Sequence, residues 1–297
     1  MFKNALIYTF TKADGIDLFN AEIALNKQLF APCGPTQDKS AGWVPPRGHA
    51  HGNLIESIGE HLVAKFQIET KAVPGEVVKR HLAERVAKIE KHLGRRPGRK
   101  ESRELRDEIV LELLPIAFPK IASVWVWIDR SRGRIVLDTS SQSRADEVIT
   151  SLVRAMDGLA ISALNTRVAP QAAMTAWLAG SADDWPEHFA PGRHVELHSG
   201  DEMKSVVKFD RHHLDDAQMR LHISEGKLPT KLALDWDGRV SFVLTDGTAL
   251  RKVAFLDGVF QDSHEDEGGF DADVAIATGE LSALIDDLTN SLGGELK

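Results

Sequence analysis

The sequence predicts an α+β fold, on three observations. Short runs of alternating or continuous apolar residues recur along both halves of the chain. Two amphipathic helical stretches interrupt them in the middle, and two Asp-Gly pairs punctuate the last third as hairpin turns.

Residues 2–10 alternate loosely and read as a strand, and residues 17–29 place Leu18, Phe19, Ile23, Ala24 and Leu29 at helical spacing. Residues 31–48 are rich in Pro and Gly and read as a loop. Leu62, Ala64, Phe66 and Ile68 share one face of a strand. Pro74-Gly75 opens a helix, where a missing N–H costs nothing. Val78, Leu82, Val86, Ile89 and Leu93 form its apolar stripe, with Arg80, Lys88, Lys91 and Arg95 on the opposite face. The run from Gly94 through Arg95, Arg96, Pro97, Gly98 and Arg99 breaks it. A second helix follows over 101–117, with Leu105, Ile109, Leu113 and Ile116 as its stripe. The pair is a projecting helical hairpin with arginines at its turn.

Residues 123–129 form a continuous apolar run, the pattern of a buried strand, which pairs with 134–138 across Arg132-Gly133. Residues 145–156 read as a helix, and 164–200 show weaker periodicity around Trp177 and Trp185. Strands are expected at 205–209, 231–236, 240–244, 253–256 and 272–277, with turns at Asp237-Gly238 and Asp246-Gly247. A helix over 279–292 closes the chain at Gly293-Gly294.

At 297 residues, 42% hydrophobic and 27% charged, the chain has the bulk properties of a soluble globular protein with room for two domains. There is no run of about 18 apolar residues and no signal-peptide pattern at the start, so no membrane association is expected. Cys33 is the sole cysteine, which excludes an internal disulfide and thiolate metal clusters and points to the cytoplasm. The net charge of -8 averages over uneven segments. Residues 71–106 hold twelve basic against five acidic residues, a net +7, whereas 257–297 hold eleven acids against Lys297, a net -10. Such asymmetry suggests a basic working surface and an acidic surface elsewhere. Charge alone does not separate that reading from a solvated helix face.

The motifs of catalysis are largely missing. No phosphate-binding loop or Gly-x-Ser-x-Gly elbow exists, and no histidine adjoins Cys33 to activate it. His49 and His51 share a strand spacing but lack further ligands nearby, and His212-His213 point to different faces. Residues 262–267 are acidic without the regular alternation of a calcium loop. Asp235, Asp237, Asp271 and Asp273 could be imagined as a nuclease's metal-binding carboxylates, but ordinary strand ends and turns look the same. No metal site and no cofactor are assigned. What remains is the basic hairpin, whose Arg80, Lys88, Lys91, Arg95, Arg96, Arg99 and Lys100 are candidates for phosphate contact. Lys227, Lys231, Arg251 and Lys252 are further candidates. No base-reading motif accompanies them, so backbone contact without sequence preference is expected.

Several stretches, in order along the whole chain, resemble the RdgC family. They are Phe30-Ala31-Pro32-Cys33-Gly34, Gly42-Trp43-Val44-Pro45-Pro46, Leu113-Leu114-Pro115-Ile116-Ala117-Phe118 and Trp127-Ile128-Asp129. Further along come Thr230-Lys231-Leu232-Ala233-Leu234-Asp235-Trp236, Phe270-Asp271-Ala272-Asp273, Thr278-Gly279-Glu280-Leu281 and Leu292-Gly293-Gly294-Glu295. The resemblance implies a horseshoe-shaped subunit that pairs with its twin as a homodimer and closes a ring around duplex DNA. It also implies a role in recombination and replication, limiting access of the RecA recombinase, in the cytoplasm and at the nucleoid, with no catalytic centre. Single-stranded DNA is a second candidate ligand. Phe118 matches the ring-closing aromatic, and the other closing contact falls near Arg211 and His212, where the family's polar pair is not plainly reproduced. The expected organisation is a central α+β domain (1–72 and 119–165), a basic hairpin tip (73–118) and an α+β base domain (166–297). Two other readings stay open: a metal-dependent nuclease, and a protein-only adaptor whose hairpin docks an acidic partner.

Overall fold

The computed structural model describes residues 1–11, 16–49, 51–200, 204–214, 217–259 and 269–296. The expected α+β class is observed. The first half contains β1 (Leu6–Thr11), α1 (Leu18–Asn26), β2 (Lys39–Val44), β3 (Ile55–Ile58), β4 (His61–Lys71), α2 (Gly75–Leu93), α3 (Arg99–Leu113), β5 (Pro119–Asp129) and β6 (Arg134–Leu137). The second contains α4 (Gln142–Ala155), β7 (Ala160–Ala163), α5 (Pro170–Ala179), β8 (Phe189–Ser199), β9 (Val206–Asp210), α6 (Ala217–Ser224), β10 (Lys227–Trp236), β11 (Val240–Thr245), β12 (Leu250–Phe255) and α7 (Gly269–Ser291). One sheet has the order β2-β4-β5-β6-β1-β7, with β3 paired to β4, and the other runs β12-β11-β10-β8-β9. The chain divides into two compact units. The larger is Met1–Leu25, Pro45–Lys65 and Val124–Lys297, and the smaller is Asn26–Val44 and Phe66–Ser123.

Several elements differ from the sequence reading. The strand expected at 272–277 is the start of α7, a single helix from Gly269 to Ser291. Asp271, Asp273 and Ala275 alternate with apolar neighbours, but Val274, Ala277, Leu281, Leu284, Ile285 and Leu288 continue one buried helical stripe. Gly279 sits exposed inside that helix, a cost of about 1 kcal/mol that the packed stripe outweighs. Within the expected loop 31–48 lies β2, where the backbone of Gly42 passes so close to Phe30 that an added Cβ would stand 2.5 Å from its amide nitrogen. The region 164–200 holds α5 and β8. The first is apolar on most sides, and the second is irregular where it pairs with β10, so neither shows a clean period. Short α6 and β7 were also not anticipated. The acidic stretch 262–267 and Ala50, between His49 and His51, lie outside the described residues.

In the larger unit, both sheets contribute to one core. Phe2, Ile7, Trp127 and Val136 from the first sheet's side join Val195, Leu197, Leu232, Leu234 and Leu244 of the second, with α5 and α7 completing it. The isolated bridge between Ala5 and Leu250 ties the sheets through paired backbone bonds of 2.8 and 2.9 Å.

The acidic α7 is fastened at four carboxylates. Asp271 binds Arg47, Glu280 binds Arg239, and Asp286 binds both Arg132 and Arg134. Asp287 accepts from the Trp236 indole N–H at 2.9 Å. These four acids are therefore partnered within the unit.

Asp129 anchors the β5–β6 turn to the same helix. Its buried carboxylate accepts from Ser131 Oγ at 2.6 Å, from the Ser131 and Arg132 amides at 3.1 Å, and from Ser282 Oγ of α7 at 3.1 Å. Burial alone would raise its pKa, but these donors outweigh burial and hold it below the usual carboxylate range. Asp129→Asn is expected to cost about 2–4 kcal/mol at neutral pH, because buried donors lose their charged acceptor. A carboxylate depressed in the folded state stabilises above its unfolded pKa of about 4 and loses that contribution as pH falls through the folded value. The difference between variant and unaltered protein in urea unfolding should therefore shrink below about pH 4. A difference independent of pH would show that the ionised form contributes nothing.

Candidate nucleic-acid interface

In the smaller unit, α2 and α3 follow one another across residues 94–98. Gly94 closes α2 in the left-handed conformation, its φ of 65° costing glycine no side-chain clash, and its amide bonds Glu90 O. Gly98 then starts α3, where the Glu101 side chain reaches back to the Gly98 amide. Burial along the hairpin falls off toward the turn. Val78 and Ile109 are buried, Leu82, Val86 and Leu105 are half-buried, and Leu93 is exposed. Two helices packed on each other can cover only one stripe apiece, so the turn end rests on local bonds.

Arg80, Lys88, Lys91, Arg95, Arg96, Arg99 and Lys100 are all exposed. Some are engaged within the hairpin: Arg95 with Glu101 at 2.8 Å, Arg96 with Glu90 at 3.1 Å, and Lys100 with Glu104 at 3.9 Å. The hydrogen bond from Arg95 holds Glu101 below the usual carboxylate range. Arg80, Lys88, Lys91 and Arg99 form no ion pair among the described residues. Exposed pairs of this type are worth about 0–1 kcal/mol, so a phosphate can compete for the engaged arginines as well.

The larger unit holds a second cationic surface, an open groove of about 870 Å³ on the exposed face of the β12-β11-β10-β8-β9 sheet. It brings together three candidates, Lys231, Arg251 and Lys252, with Lys208, His194 and His198. Arg251 donates to the Ser140 carbonyl. The fourth candidate, Lys227, lies outside this lining and bonds His222 and Glu225 at 3.0 and 3.1 Å.

At the centre of the groove is Glu196. It accepts from His198 Nε2 and Lys208 Nζ at 2.9 Å and from Lys231 Nζ at 3.2 Å. Burial would raise its pKa, but the hydrogen bonds from His198, Lys208 and Lys231 outweigh that and lower it to about 2. Lys208, His194, Glu196 and His198 were missed in the sequence. Their signal is His194-Val195-Glu196-Leu197-His198, a polar/apolar alternation that marks one solvent-facing strand edge-on.

Phe118 is 92% exposed, beyond the end of α3, next to Ile116 at 74%. An aromatic so exposed has no packing role within its own chain. Arg211 and His212 are both exposed after β9, with the His212 ring edge-on to Phe209 at 6.2 Å.

The four aspartates weighed as nuclease ligands do not come together. Asp271 is engaged with Arg47, and Asp235 accepts from the Gly238 amide. Among the described residues, the group with metal-ligand proximity is His188, Asp237 and Asp287, whose ligand atoms lie within 4.8 Å of one another. The hydrogen bond that His188 donates to Asp237 raises the His188 pKa. These positions are too far apart in sequence for any motif to have marked them. No described helix is long and apolar enough to cross a membrane.

The sequence matches a protein-family model described as "RdgC: Putative exonuclease, RdgC" over residues 1–295. It is similar to the recombination-associated protein RdgC of Cupriavidus necator, at 39% identity over 300 residues, covering 100% of this chain and 99% of that protein. The protein of the same name from Dechloromonas aromatica is 38% identical over 303 residues, covering 99% of this chain and 98% of that one. That from Bordetella pertussis is 34% identical over 298 residues, with the same two coverages.

Phe118→Ala is expected to change the unfolding free energy by no more than about 0.5 kcal/mol, as for an exposed side chain. Urea titration of the variant checks this. A loss of about 3 kcal/mol or more, the range for truncating a buried phenylalanine, would make Phe118 a core residue.

Proposed function

The chain belongs to the RdgC family, and from that premise we propose that it is a sequence-nonspecific DNA-binding protein without a catalytic centre. It acts as a homodimer of horseshoe-shaped subunits, closing as a ring around duplex DNA in the cytoplasm at the nucleoid. By occupying DNA it limits access of the RecA recombinase. Relatives named as recombination-associated proteins along their whole length support the cellular role. The observation that carries the DNA-binding reading is the exposed cation set of the hairpin, Arg80, Lys88, Lys91 and Arg99, which has no carboxylate partner among the described residues. Lys231, Arg251 and Lys252 add a second contact surface. Guanidinium and ammonium groups on exposed elements displace counterions from phosphates without reading bases. A net charge of -8 does not oppose this, because DNA meets the local field and not the sum. Phe118, exposed at the end of the hairpin, serves as the ring-closing contact, with Arg211 and His212 at the other closure.

A second reading, metal-dependent cleavage, is favoured by the family description and by the His188, Asp237 and Asp287 group. Magnesium- or manganese-dependent shortening of DNA that disappears in Asp237→Asn would replace the first reading.

Duplex affinity should fall with salt at about 0.9 log units per log salt for each phosphate contact, and unrelated sequences should bind alike. Changing Arg95, Arg96 and Arg99 together to Gln should leave stability within about 0.5 kcal/mol. It should also reduce the salt slope by up to about one unit per lost contact. Titrations across a salt series measure both. An unchanged slope and affinity would remove the hairpin turn from the DNA surface.

Ring closure makes a separate claim. Aromatic anchors at interfaces cost about 2 kcal/mol or more when truncated. Phe118→Ala should therefore shift sedimentation toward monomer and shorten retention on DNA. An unchanged dimer with unchanged retention would dismiss Phe118 as the closing contact.

A further inference from the structure

We propose that His194, His198 and Lys208 form a phosphate-binding cluster in the groove of the second sheet, positioned by Glu196, and that both histidines engage phosphodiester oxygens only as imidazolium. The proposal rests on the reading of this groove as a nucleic-acid surface and adds to it protons taken up on binding, one at each histidine.

The strand β8 sets the geometry. His194, Glu196 and His198 stand at every second position and share the exposed face, while Val195 and Leu197 between them are fully buried. A slip of one residue would expose both aliphatics, so the register is fixed. Across the sheet, Lys208 and Lys231 pair in register with Glu196, and Asp210 pairs with His194.

Hydrogen-bond chemistry then fixes the tautomers. The Glu196 carboxylate is held ionised, with a pKa lowered to about 2, and can only accept. Nε2 of His198, at 2.9 Å from it, must therefore carry the hydrogen. Asp210, at 3.3 Å from Nδ1 of His194, imposes a hydrogen on that nitrogen in the same way. In each neutral ring the remaining nitrogen is an acceptor and faces a phosphate oxygen with a lone pair. It can donate only after gaining a proton from solvent, which makes the ring cationic. Lys208 and Lys231 each have three donors, of which Glu196 occupies one, so both keep N–H groups for phosphate. Among the described residues, His198 is paired with Glu196, which Lys208 and Lys231 also hold, and His194 is paired with Asp210. Asp246, Arg251 and Lys252 complete the charged lining of the groove.

Binding should thus take up as many as two protons, one per histidine, and affinity should fall as pH rises by up to about one log unit per pH unit for each proton gained. The test is calorimetric titration of a duplex of about 30 base pairs into the full chain at pH 7.5, in two buffers of different ionisation enthalpy. The unaltered protein should show net proton uptake. Changing His194 and His198 together to Gln should abolish most of it and weaken binding roughly tenfold or more at pH 6, with a much smaller loss at pH 8. Lys208→Gln should lower the salt slope by about one unit. His213→Gln, an exposed histidine outside the groove, should leave proton uptake unchanged. Proton uptake that persists in the double variant, with DNA still bound, overturns the cluster alone. Failure of the unaltered protein to bind DNA at any salt overturns the DNA reading with it. Inorganic phosphate titrated alone distinguishes a free-anion site: saturable binding that the double variant loses, while its DNA binding stays normal, also overturns the proposal.

Discussion

The pairing of carboxylates with cations inside the larger unit is the constraint on which the surface of this protein depends. The helix α7 carries Asp271, Glu280 and Asp286, and these claim Arg47, Arg239, Arg132 and Arg134. Asp129 is buried and meets its donors at the same helix through Ser282. An ionised carboxylate removed from water is tolerable only when it is met by donors or cations, so these arginines are committed to structure. Arg80, Lys88, Lys91 and Arg99 form no such pair among the described residues, and they stand exposed to solvent.

The hairpin and the groove use this freedom differently. On the hairpin, the ion pairs of Arg95, Arg96 and Lys100 are exposed and weak, and they keep side chains extended without withholding them from a phosphate. In the groove, Glu196 is buried and partnered by two lysines and a histidine, so its geometry is stiff. If the DNA-binding proposal holds, the hairpin offers exposed, weakly paired cations and the groove offers cations fixed by a buried carboxylate. Neither carries the aligned donor and acceptor pairs that base recognition requires.

Membership of the RdgC family was legible in the sequence because its short motifs keep their order along the whole chain. The structure explains some of them locally. Gly42, in the run Gly42-Trp43-Val44, lies against the Phe30 backbone with no space for a side chain. Trp43 is fully buried and meets Phe66 edge-on at 5.0 Å. Trp127 donates to His61 at 3.1 Å, and Asp129, two residues on, is the buried anchor.

The sequence by itself determined the α+β class, the hairpin, the Asp-Gly turns and the exposure of the hairpin cations, because each rests on local periodicity or on turn chemistry within a few residues. Phe118 was marked by resemblance rather than by pattern, and Ile116, read as part of the stripe of the second helix, is exposed instead. Tertiary structure alone decided the rest. Residues 272–277 alternate like a strand, yet they became helix because Val274 and Ala277 could extend the stripe of α7 into the core. The strand β8 was hidden by its irregular pairing with β10, and with it the face that carries His194, Glu196 and His198. The groove joins residues from β8, β9, β10 and β12, and the group at His188 joins Asp237 and Asp287. Such groupings arise when a sheet brings distant strands into register, and a linear pattern holds no record of which strands will be neighbours.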